Sequence, residues 1–158
     1  MSIIDRIREA GIVLPAPRPS SALFVPYTLH RDILTVSGQL PLREGKPMVV
    51  GRVPEAVSLE DAREAARLCL AHVLSWVSVA TEGNLERVRR VVRLGGFVAT
   101  SEGFYDAPAV INAASELVNM VFGDRGKHAR IAIGVASLPF DVPVEIEATF
   151  ALDDGHGA

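Results

Sequence analysis

A single cysteine, Cys69, leaves the chain without the second thiol that an intrachain disulfide needs, and it fits a reducing compartment. Aromatic residues make up only 6%, too few to build an evident platform for stacking bases. Basic charge is not in excess: the formal net charge is −3 and the isoelectric point about 5.8. No global field therefore recruits nucleic acid or anionic lipid. No stretch approaches the roughly 20 apolar residues of a membrane helix. The opening MSIIDRIREA interrupts any leader-like apolar core with Asp5, Arg6, Arg8 and Glu9. A cytoplasmic protein without contact to membranes is expected. Neither GxxxxGK[ST] nor GxGxxG occurs, so no phosphate cradle is announced and no cofactor is expected. The histidines, His30, His72, His128 and His156, lack metal-ligand spacing with one another or with Cys69, and no metal is expected.

What is present describes one compact domain. The 158 residues are 49% hydrophobic and 22% charged, with a mean hydropathy of +0.27. A surplus of apolar surface in so small a chain predicts burial between subunits. Residues 3–10 suggest a short amphipathic helix before the Pro-rich LPAPRPS. Strands are predicted at 22–29 and 32–42, joined by HRD as a hairpin, with a further short strand around 48–50. A long helix follows Ser58, which forms a capping pattern with Asp61, and stops near Gly83. Leu59, Ala62, Ala66, Cys69, Val73, Val77 and Ala80 form its apolar stripe.

LERVRRVVRLGGFVAT reads as a strand ending near Gly95 and Gly96. A second helix is predicted from the cap Asp106 to Gly123, burying Val110, Ala113, Ala114, Leu117 and Val121. Strands at 130–138 and 143–152 close the domain. The order predicts an α+β fold in two layers, a mixed sheet with two long helices on one face. The organisation expected is an N-terminal extension over 1–21, a domain over 22–152 and a mobile tail over 153–158.

Candidate chemistry concentrates near the C-terminus. Alternation puts Arg130 on the same face as Ala132, Gly134 and Ala136, while Glu145, Glu147 and Thr149 share one face of the last strand. If those two strands are neighbours, the guanidinium and one carboxylate border a single cleft. The simpler reading is a solvated face with a surface ion pair of about 0–1 kcal/mol. The functional reading has Arg130 gripping a substrate carboxylate and Glu145 handling a proton or a water. Periodicity leaves both open. Cys69 and His72 read as helix-packing residues. The RVRRVVR cluster reads as a solvated strand edge, with phosphate contact as its alternative.

The motifs PY…SGQLP, INAAS, ARIAIGVASLP and VEIEATF, in this order from about residue 22 to 152, resemble the RidA/YjgF family of reactive-intermediate deaminases, also labelled "endoribonuclease L-PSP". The resemblance implies a chorismate-mutase-like fold, a homotrimer with sites in clefts between subunits, and hydrolysis of 2-imino acids to 2-keto acids and ammonia. It implies that Arg130 holds the substrate carboxylate, that Glu145 positions or activates the water, and that Tyr27, Ser37 and Asn112 line the pocket. His128 replaces the proline that precedes AR in the better-studied branch and is a candidate to join the chemistry. Ile131 stands where that branch usually has serine, so the chain resembles a longer-chain branch. The expected partners are a small imino or keto acid and further copies of the chain. The alternatives are a trimer that binds small carboxylates without turning them over, and RNA cleavage.

Overall fold

In a computed structural model of the chain, residues 1–19 and 23–153 are described. The order is α1 (Ile3–Glu9), β1 (Tyr27–His30), β2 (Ile33–Gln39), β3 (Leu42–Arg43), β4 (Lys46–Pro47), α2 (Leu59–Ala80), β5 (Val88–Ala99), α3 (Ala107–Phe122), β6 (Ala129–Val135) and β7 (Val144–Leu152). Five strands form one mixed sheet in the order β1-β2-β7-β5-β6. Only β5 and β6 are parallel. Both long helices pack on the same sheet face, as the α+β reading requires. Of the tail expected over 153–158, residues 154–158 lie outside the described residues.

Local chemistry accounts for the boundaries. The Ser58 hydroxyl accepts from the Asp61 N–H at the start of α2, and Asp106 does the same for Ala109 at the start of α3. The stripe expected on α2 is buried from Ala62 to Val77, widened by Ala65, Leu70 and Leu74; only its ends, Leu59 and Ala80, reach solvent. The first strand begins at Tyr27 rather than 22, because Pro26 has no N–H to give a ladder. The strand expected at 48–50 is displaced. Glu44 (φ 51°) and Gly45 (φ 83°) make a tight turn, so the pairing falls on Leu42–Arg43 with Lys46–Pro47.

One further expectation is corrected. β5 does not end at the glycine pair but runs on to Ala99. A Cβ at Gly96 would lie 2.6 Å from Ile111 Cδ1, so the bare backbone there lets α3 approach the sheet. RVRRVVR is the solvated strand edge expected: over residues 88–92 β5 pairs with β7 alone, and β6 joins only from Arg93. Along it Arg89 meets Asp32 at 3.4 Å and Arg93 meets Glu147 at 3.1 Å.

The N-terminal helix belongs to the core. Ile3 and Ile7 are 1% and 2% exposed within the main hydrophobic cluster. Glu86 ties the helix down, accepting from the Ile3 N–H at 2.6 Å and pairing with Arg125 at 2.9 Å. The Ile3 hydrogen bond, then Arg125, holds the Glu86 carboxyl below its ordinary 4.5. Its contribution is therefore present above that value and is lost as pH falls through the lower folded value. Truncating Ile7 to alanine should cost about 2–4 kcal/mol in urea unfolding. A loss below about 0.5 kcal/mol would show that α1 merely rests on the surface.

Candidate functional site

The five sequence-predicted pocket residues and His128 do not converge on one cleft. β5 lies between β6 and β7, so the final two strands are not neighbours. Arg130 also sits on the opposite sheet face from Glu145. Arg130 is opposite Leu94, and Ala132 opposite Gly96, on the side covered by α3. Glu145 is opposite Phe97 on the open side, out of step with the buried Val144 and Ile146. The single cleft that alternation allowed is absent from one copy of the chain. In its place stand two half-sites.

The first half-site is built on β6 and α3. Arg130 Nη1 donates to Asn112 Oδ1 at 2.8 Å and to Ser115 Oγ at 3.2 Å. Asn112 and Ser115 are three residues apart on α3, so both side chains project from one helical face toward the strand. Behind them His128 Nε2 lies 3.0 Å from Ser115 Oγ, and Nδ1 lies 2.6 Å from the Gly126 carbonyl. That carbonyl can only accept, so Nδ1 carries the proton and Nε2 takes the Ser115 hydroxyl hydrogen. The Ser115 lone pairs are thereby turned to Arg130. Both nitrogens of His128 are committed to holding this chain of donors, which makes it a positioning residue here.

Arg130 differs from most paired arginines of the molecule. Arg63, Arg67, Arg89, Arg93 and Arg125 each meet a carboxylate. Arg130 is held by an amide and a hydroxyl, with no carboxylate partner among the described residues. Its positive charge is oriented but not neutralised.

The second half-site is built on β2 and β7. A Cβ at Gly38 would run into Glu145 Oε1, so the glycine of SGQ is the space in which this carboxylate lies. Burial, then the neighbouring Glu147, pushes the Glu145 carboxyl above its ordinary range. Ser37 is committed to structure: its hydroxyl donates to the Val25 carbonyl at 2.7 Å and its N–H to Pro26. Tyr27 lies on the helix side, its ring 6.1 Å from that of Trp76. Cys69 is fully buried and its thiol pushed well up by burial, then by Glu145, which leaves it a packing residue.

Ser115 and Gly38 were not singled out from sequence as site residues. The first was legible as the i+3 companion of Asn112 within INAAS. The second was not, because the clash it avoids lies across strands.

A family model described as "YjgF/chorismate_mutase-like, putative endoribonuclease" matches residues 4–146. Protein TCP17 of Trypanosoma cruzi is 38% identical over 153 residues, spanning 96% of this chain and 95% of TCP17. The crystal structure of Atu1372 from Agrobacterium tumefaciens, a protein of unknown function, is 44% identical with a TM-score of 0.90, covering 96% of this chain and 92% of that one. Escherichia coli YjgF is 25% identical with a TM-score of 0.59, covering 89% and 95%. The fold is that of an α+β protein of the chorismate-mutase-like type. The chain belongs to the YjgF/RidA family.

The raised Glu145 carboxyl has a consequence for stability. A group bound to its proton more tightly when folded lowers stability as pH rises from 4.5 through its folded value. Replacing Glu145 by glutamine should therefore flatten the pH dependence of urea unfolding across that window and raise stability above it. An unchanged profile would mean that Glu145 is as well solvated as in the unfolded chain.

Proposed function

We propose that the protein hydrolyses reactive 2-imino acids to 2-keto acids and ammonia, at sites completed between copies of the chain. The observation that supports this most is the Arg130 guanidinium, oriented by Asn112 and Ser115 and without a carboxylate of its own. Such a group has its natural partner in a small carboxylate ligand, held through parallel charge-assisted hydrogen bonds. The apolar side chains left exposed on the open face and the outer strand, such as Ile131 at 37% and Ile133 at 41%, suit contact with another copy. The family's homotrimer supplies such contacts.

In this reading Arg130 of one copy fixes the substrate carboxylate, and Glu145 of a neighbouring copy faces the imine carbon. Water adds to that carbon as a C–O bond forms, with Glu145 accepting the water proton. The C=N π pair moves to nitrogen, which takes that proton from Glu145. Glu145 then takes the hydroxyl proton and passes it to nitrogen as the C–N bond breaks, the C=O bond forms and ammonia leaves. A carboxyl pushed upward by burial is a better proton acceptor than an ordinary surface glutamate, so the direction of its shift suits this role. The remaining acceleration comes from holding the imine and water together. The buried Cys69 and the lack, among the described residues, of a helix able to cross a membrane fit a cytoplasmic setting.

Keto-acid release from enzymatically generated 2-iminobutanoate, measured with semicarbazide as competitor, tests the reading. The wild-type protein should accelerate release, and Arg130→Ala should lower kcat/KM roughly a hundredfold, the cost of about two charged hydrogen bonds. Acceleration unaffected by the substitution would remove Arg130 from the substrate. No acceleration at saturating protein would leave a trimer that binds carboxylates without turnover.

A further inference from the structure

We propose that the Arg130 half-site selects substrates with a bulky apolar side chain, aromatic ones above all. The side chain would be read in a trough along the outer edge of β6. The choice of imino and keto acids as ligands rests on the deaminase reading above. The selection by size rests on the trough itself.

Residues of one strand face are about 6.6 Å apart every second position. From Arg130 the next residues on its face are Ala132 and Gly134, the smallest side chains available. Neither can be enlarged freely: Ala132 packs against the core, and a Cβ at Gly134 would lie 2.7 Å from Thr100 Oγ1. A cavity of about 630 Å³ opens along this stretch, with Phe104, Tyr105 and Pro108 on its far side. That volume falls within the usual range for small-molecule sites, roughly 300–1,000 Å³. Its strand wall starts at Ala132, the next residue after Arg130 on that face.

The wall opposite the strand is anchored at both ends. Ser101 donates its N–H to Val53 and its hydroxyl to Glu55, Phe104 closes back on Ser101, and Asp106 caps α3. Phe104 packs its ring against the core. Tyr105, by contrast, is 92% exposed. In a chain with 6% aromatic residues, the Tyr105 ring beside an open trough leaves apolar surface facing solvent. A flat hydrocarbon group between Tyr105 and the small-residue floor would cover it.

Charge gives the ligand its direction. The one ionised side chain lining the trough is Glu102, which repels a carboxylate, while the Arg130 end attracts it. A 2-imino or 2-keto acid therefore enters with its carboxylate on Arg130 and its side chain over Ala132. A methyl group leaves the trough empty, whereas a benzyl or isobutyl group fills it.

Calorimetric binding of two stable products, pyruvate and phenylpyruvate, to the full chain tests this without requiring turnover. Phenylpyruvate should bind at least about tenfold more tightly. Tyr105→Ala, at a position 92% exposed, should bring the ratio of the two affinities toward one. Arg130→Ala should weaken both ligands. Equal affinities in the wild type, or a preference that survives Tyr105→Ala, overturns the proposal, as does failure of both acids to bind. A preserved preference in a protein that accelerates no imine hydrolysis would sink the deaminase reading alone. Turnover without side-chain preference would sink this one alone.

Discussion

One strand governs what this molecule can do alone. β5 is wedged between β6 and β7 and pairs with both over most of its length. Because successive strand residues alternate faces, the register fixes Arg130 toward α3 and Glu145 toward the open side. A slip of one residue in the β5–β7 pairing would place the two groups on one face but turn Val144, Ile146 and Phe150 out of the core; a slip of β6 would drive Ile131 and Ile133 into the side that α3 covers. The apolar pattern thus enforces the separation. Whatever chemistry Arg130 and Glu145 share must pass between molecules.

The two halves are prepared in different ways. Arg130 is steadied by neutral donors and acceptors running back through Ser115 and His128 to the Gly126 carbonyl. Neutral partners orient a guanidinium without cancelling its charge, which keeps it able to receive an anion. Glu145 instead lies in the space left by Gly38, half-buried beside Glu147, and is disposed to hold a proton. A cation kept free and a carboxylate made more basic are complementary needs of carboxylate binding and water activation.

Much of this was legible in the sequence because it depends on local pattern. The stripe of α2, the caps Ser58 and Asp106, and the alternation of 144–152 are short-range signals, and each element formed where they pointed. The family motifs pointed to Asn112 without pairing it to Arg130, and helical periodicity put it on a solvated face, where it is exposed. Strand order was not legible. It depends on β5 crossing over through α3 to lie parallel to β6, and nothing local in ARIAIGV or VEIEATF says which strand comes between. The glycine pair in β5 misled for a related reason. It reads as a terminus, whereas it serves the close approach of α3 at Gly96. The short strand near 48–50 was misplaced because the turn at Glu44 and Gly45 sets a tighter register than composition suggests.

The claim that one site is assembled from two copies is tested most directly by subunit complementation. Arg130→Ala and Glu145→Gln chains would be prepared separately, each inactive alone, then unfolded together and refolded into mixed assemblies verified by native mass spectrometry. Some interfaces in such a mixture join an intact Arg130 to an intact Glu145, so imine hydrolysis should reappear. Mixed assemblies as inactive as either parent would contradict the account, since they would place both residues of each site on the same chain.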